Sequence, residues 1–84
     1  MMWYVYILRL KDDSLYTGIT KDIQRRIEEH EDGRGSKYVR GRTPVKLVHS
    51  EELKTRSEAL KREAEIKSWS KVKKEDFVKK NGCV

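Results

Sequence analysis

The sequence predicts an α+β domain: a three-stranded antiparallel sheet flanked by helices, in the order β-β-α-β-α-α. Three observations predict it. Residues 3–10, WYVYILRL, are aromatic and β-branched and apolar on both alternating faces. A strand covered on both sides reads this way, so this one is expected to be central in its sheet. The turn-forming run Lys11-Asp12-Asp13-Ser14 follows at once and makes a hairpin with the next strand. Further on, Thr55-x-x-Glu58 is a capping box that opens a helix.

The second strand covers residues 15–19, where Gly18 marks a bulge or a close backbone approach. Thr20 or Asp22 caps a helix running to about Glu31, with Ile23 and Ile27 as its buried stripe. Asp32-Gly33 ends it. Residues 33–46 form a glycine-rich loop carrying Arg34, Lys37, Arg40, Arg42 and Lys46 and no acid. A third strand is expected over residues 45–50. The helix opened by Thr55 should run to about Trp69, and Ser70 should cap a short third helix ending near Asn81-Gly82. With 84 residues, no internal repeat and no long linker, the chain reads as one domain over 1–84. A chain of this size buries only about 60–65% of the surface its unfolded form exposes.

Net charge is +6 and the isoelectric point about 9.6. That balance favours a polyanionic partner, nucleic acid before an anionic membrane surface. The single cysteine, Cys83, cannot form an internal disulfide and reads as a surface thiol on a frayed end. No apolar run approaches the roughly 18 residues of a membrane span, and the N-terminus has no basic region of a secretory signal. A cytoplasmic monomer is expected, with no membrane partner.

Glu63 is the clearest chemical signal. At about 100° per residue, with Ala59 at zero, Ile66 falls near ~−20°, Glu63 near ~40° and Leu60 near ~100°. A carboxylate among apolar neighbours needs a cation, a hydrogen-bond donor or a metal. A structural salt bridge, for instance with Arg26, is the competing explanation. Arg26 and His30 are four residues apart and share the helix face of Ile23 and Ile27. Arg can clamp a phosphate and His can move or orient a proton, although a hydrogen-bonded helix-end histidine would look the same. Arg25 should face solvent. His49 is given no role. Tyr4 and Tyr6 share one face of the first strand, and Tyr16 can approach them across the hairpin. Cross-strand aromatic pairs are common plain stabilisers. A phenol, with a pKa of about 10, acts as a base at neutral pH only beside cations or a metal. Tyr38 can stack on a base. No Walker motif, zinc pattern or Gly-x-Ser-x-Gly elbow is present.

These residues, in this order, resemble the GIY-YIG endonuclease superfamily, and in particular its short stand-alone bacterial proteins. Tyr4-Val5-Tyr6 stands where the family has Gly-Ile-Tyr, and Tyr16-Thr17-Gly18 where it has Tyr-Ile-Gly. Tyr4 thus replaces a glycine and Thr17 an isoleucine. Arg26 matches the helix arginine, His30 a position often Tyr or His, and Glu63 the metal-binding glutamate. The segments around Arg40–Val48 and Glu65–Trp69 also look typical of the short subgroup.

The resemblance implies the GIY-YIG fold and a divalent-metal-dependent DNA endonuclease, selecting by structure, with a role in DNA repair or recombination. It implies one Mg²⁺ or Mn²⁺ on Glu63. Tyr6 would activate water, Tyr16 position Tyr6 or the phosphate, Arg26 stabilise charge, and His30 assist proton transfer. Lys37, Arg40 and Arg42 would hold the DNA or RNA backbone while Tyr38 stacks on a base, and a partner protein would supply specificity. The alternative is a non-catalytic nucleic-acid-binding module using the same basic surface.

Overall fold

A computed structural model describes residues 2–81. Cys83 and the expected stop at Gly82 lie outside the described residues. The elements are β1 (Trp3–Arg9), β2 (Leu15–Thr20), α1 (Ile23–Glu31), β3 (Lys46–Leu53), α2 (Arg56–Lys67) and α3 (Lys71–Asn81). The sheet is antiparallel in the order β2-β1-β3, so β1 is central as its two-sided apolar pattern predicts.

The two faces of β1 serve two different cores. Val5 and Ile7 pack with Ala59 and Ile66 of α2 and Val78 of α3, and with partly buried Trp69 and Phe77. Tyr6, Leu8 and Leu10 face the other way, toward Val39 of the 33–45 loop, Ile27 of α1 and Tyr16 of β2. The helical pair α2/α3 thus covers one side of the sheet, and α1 with the glycine-rich loop covers the other. Arg9, at the end of β1, holds α3 by a two-pronged bond to Glu75 (2.6 and 2.8 Å).

The caps follow the sequence closely. Asp22, not Thr20, caps α1 by accepting the Arg25 N–H at 3.1 Å; Thr20 instead accepts the Asp22 N–H. Thr55 accepts the Glu58 N–H, and Ser70 the Lys73 N–H, each at 3.1 Å. Two boundaries differ from expectation. α2 ends at Lys67, with Ser68 as its C-cap, its hydroxyl donating to the Glu65 carbonyl. β3 starts at Lys46 and continues through Glu51, Glu52 and Leu53. The acidic end stays in the strand because Arg62 grips both Glu51 oxygens (2.9 and 3.0 Å) and His49 meets the same carboxylate at 2.9 Å. A register shift against Ile7 and Leu8 lets Val48 pack on the α2/α3 core while its neighbour His49 touches Phe77.

Candidate active site

A buried hydrogen bond joins the first strand to the first helix. Tyr6 Oη and His30 Nε2 lie 2.9 Å apart, and the two residues are 1% and 0% exposed. Tyr6 can occupy this position because its cross-strand partner is Gly18. A Cβ on Gly18 would stand 2.5 Å from Tyr6 Oη and 2.7 Å from Cζ. The close approach expected of Gly18 is therefore an approach by the tyrosine ring itself.

Gly35 stands to His30 as Gly18 stands to Tyr6. A Cβ on Gly35 would overlap His30 Nδ1 and crowd Cε1 at 2.7 Å. The next peptide completes the clamp, with the Ser36 N–H directed at His30 Nδ1 over 3.4 Å. A backbone N–H can only donate, so Nδ1 is the acceptor. Burial, and next the Arg26 charge, hold the His30 pKa below its ordinary value. The neutral ring then carries its proton on Nε2 and donates it to Tyr6 Oη. Gly35 and Ser36 were not singled out from sequence. A glycine in a loop has many uses, and nothing local says which ring it will meet.

Tyr16 lies over this pair, with its ring 6.4 Å from that of Tyr6 and edge-on to His30 at 5.4 Å. Tyr38 of the loop stacks on Tyr16 at 6.2 Å, with the planes 19° apart. Arg42 braces Tyr38 from its other contacts: its guanidinium lies 4.5 Å from the ring centre, bonds Asp12 at 3.0 Å and donates to the Tyr38 carbonyl. Arg42 is thus engaged within the protein. Arg40 is exposed and donates only to the Gly33 carbonyl, and Lys37 is exposed without an ion pair among the described residues.

Arg26 projects from α1 one turn before His30 and pairs with Glu29 at 3.0 Å. Its neighbour Arg25 is 77% exposed, as its place on the helix predicts. Glu63 sits on α2 at the margin of the buried stripe. Ala59 and Ile66 are 0% exposed, but Leu60, expected as the other flank, is turned outward at 37%. The Glu63 carboxylate is half-buried and pairs with Lys67 at 3.3 Å, not with Arg26.

These groups act together on Tyr6. Burial raises its phenol to about 12; Arg26 pulls the other way, and the Tyr16 and Glu63 charges add to the rise. Desolvation is the largest cause, so burial prevails over the hydrogen bond and charge of Arg26. Since the folded pKa lies above the ordinary value of about 10, this proton stabilises the fold fully below pH ~10. The contribution is lost as pH rises toward ~12. Titrated by tyrosinate absorbance, one of the four tyrosines is expected to ionise late, and Tyr6→Phe to remove that late step. A late step that survives Tyr6→Phe would refute the assignment.

Among the described residues no group of three or more His, Cys, Asp and Glu is gathered as for a metal ion. A lone half-buried carboxylate with one lysine partner does not make a closed protein cage. It does fit a hard cation that keeps most of its waters and binds substrate phosphate, as Mg²⁺ does.

A family model described as the GIY-YIG catalytic domain matches residues 2–76. The chain belongs to the GIY-YIG family. Its relatives include a UPF0213 protein of Haloquadratum walsbyi, 58% identical over 74 residues, which are 88% of this chain and 83% of that one. A UPF0213 protein of Staphylococcus saprophyticus is 56% identical over 71 residues, 84% of this chain and 87% of its own length. The solution NMR structure of a UPF0213 protein from Bacillus halodurans superposes with a TM-score of 0.65 at 48% identity, covering 98% of this chain and 87% of that one. The GIY-YIG family is a nuclease superfamily, which implies a nucleic-acid substrate. Among the described residues no helix is long and apolar enough to cross a membrane.

Proposed function

We propose that this protein is a divalent-metal-dependent endonuclease that hydrolyses phosphodiester bonds in DNA, choosing its target by shape. The observation that supports this reading is the convergence on one buried phenol. His30 bonds it, and Tyr16, Arg26 and Glu63 all bear on its ionisation. Such a cluster is more than a stabilising aromatic pair requires.

In this reading Glu63 holds Mg²⁺ or Mn²⁺. When bound, the ion supplies positive charge that stabilises the attacked phosphate and a neighbouring phenolate. The chain's own residues do the rest. With that charge in place Tyr6 would act as the phenolate, its oxygen held by His30 and facing Arg26, and would take a proton from the attacking water to return to the phenol. Tyr16, half-buried above it, positions Tyr6 and the phosphate. Arg26 stabilises negative charge on the transferring phosphate. Lys37 and Arg40 hold the backbone without reading bases, and Arg42 contributes by fixing Tyr38.

The test is cleavage of labelled nicked, flapped, branched and single-stranded DNA with Mg²⁺ or Mn²⁺, beside the same reactions in chelator. Metal-dependent cutting is expected on at least one shape, and binding is expected to survive chelation. Binding with no cutting across all metals and shapes would replace the enzyme by a binding module.

A further inference from the structure

The catalytic cluster of the proposed reading lies by the edge strand β2, and two aromatic groups stand at opposite ends of that strand, Tyr38 on the face of Tyr6 and Trp3 on the face of the α2/α3 core. Tyr38 lies beyond Tyr16 at the hairpin end. At the other end stands Trp3, half-buried at the start of β1. Lys21 lies 5.2 Å from the Trp3 ring centre and Arg56 lies 5.8 Å from it. Two cations gathered on one indole from separate elements, the β2–α1 turn and the start of α2, are not needed to hold the core. Trp3 already packs there through its apolar body.

A cavity of about 310 Å³ opens beside Trp3, and its walls include Lys21, Arg25, Arg26 and Glu29. Arg26 lines this cavity and also acts on Tyr6, so it stands between the two. The acids present are committed. Glu29 lies between Arg26 at 3.0 Å and Arg25 at 3.5 Å. Asp22, also in the wall, caps α1 through the Arg25 N–H. Lys21 and Arg56, which have no ion pair among the described residues, remain for a ligand beside the Trp3 ring.

We propose that Trp3, Lys21 and Arg56 form a nucleotide subsite flanking the cleaved phosphate, on the side away from Tyr38. The base of the flanking nucleotide stacks against Trp3, and its phosphate is held by Lys21 with Arg25 or Arg56 beside it. Aromatic stacking combined with cations on the backbone is the general chemistry of strand binding. The inference rests on the endonuclease reading for its substrate, but it concerns binding and is read without cleavage.

The experiment uses the Trp69→Phe protein, in which Trp3 is the remaining tryptophan, titrated in chelator with a short single-stranded oligodeoxynucleotide. Binding is followed by the anisotropy of a dye on the DNA and by Trp3 emission. Saturable quenching of Trp3 in step with binding is expected, and abasic replacement of the flanking nucleotide should abolish it. Trp3→Ala should weaken binding about five- to a hundredfold, the range of one lost base stack, with Trp3→Phe restoring most of it. Lys21→Gln should lower the slope of log K against log salt by ~0.7, one phosphate contact on a single strand. Anisotropy that reports binding while Trp3 emission stays constant would overturn the subsite and leave the nuclease intact. No binding and no cleavage by the wild-type protein would remove the endonuclease reading and the subsite with it. Trp3 emission is read on the intact side chain, so a poorly folded Trp3→Ala variant does not decide the matter.

Discussion

Glu63→Gln is expected to lower metal-dependent cleavage about a thousandfold while changing DNA affinity by less than about twofold. The amide keeps the size and shape of the carboxylate and removes its charge. A thousandfold corresponds to ~4 kcal/mol of transition-state stabilisation, within what a bound divalent cation supplies to a developing phosphate charge. Affinity should persist because the basic surface is elsewhere, on Lys37, Arg40 and the lysines of α3. Stability should also persist. The ion pair that is lost, Glu63 with Lys67, is between neighbours on one helix, and the lysine is 52% exposed; such pairs contribute little. Cleavage rates, DNA affinity and thermal melts on the same preparations check the three parts. Equal trace cutting by both proteins would mark a contaminating nuclease. A large fall in melting temperature would assign Glu63 a structural role instead.

Gly35→Ala should be a strongly damaging single-methyl change. Its backbone is not in the left-handed region, unlike Gly33 and Gly41, so the penalty is purely steric. The added Cβ overlaps the ring of His30, which is 0% exposed and cannot swing into solvent. Either the loop lifts, breaking the Ser36 N–H contact, or His30 shifts and releases Tyr6. Overpacking of this kind costs about 1–3 kcal/mol, or a fall of roughly 4–8 °C in melting temperature per kcal/mol for a domain of this size. Gly18→Ala presses on the same pair from the Tyr6 side, where the contact is 2.5 Å, and should behave alike. Both variants should lose cleavage beyond what their stability explains, because each disturbs the hydrogen bond on which the other groups converge. Denaturant melts paired with cleavage rates check this. A Gly35→Ala protein of wild-type stability and activity would refute the clamp.

Much of this arrangement was legible in sequence because it depends on spacing within one element. The two-sided pattern of β1 placed it in the middle of the sheet. Period two placed Tyr6 opposite the hairpin strand that bears Tyr16. The four-residue interval of Arg26 and His30 put both on one side of α1. Other features depend on where distant segments meet. Arg42 finds Asp12 across thirty positions of sequence, so its engagement could not be foreseen from the loop's lack of acids. Glu51 looks like the end of a strand until Arg62 is seen holding it. Leu60 is turned outward at 37% exposure, which helical periodicity alone does not give. The direction of the Tyr6 shift is a contest between burial and a nearby guanidinium, and only the packed site shows that burial prevails.

The alternation of β1 has an evolutionary consequence. Neighbouring residues on this strand answer to different packing demands: Tyr6 to the cluster with His30 and Gly18, Val5 and Ile7 to the interior beneath the helices. Point substitutions can therefore explore one demand without disturbing the other. Gain or loss of a single residue in the strand exchanges the two sets at a stroke, putting an aliphatic side chain against Gly18 and a phenol into the apolar interior. Sequence drift along β1 should consequently proceed by replacement, position by position, and length variation should be confined to the turns at its ends.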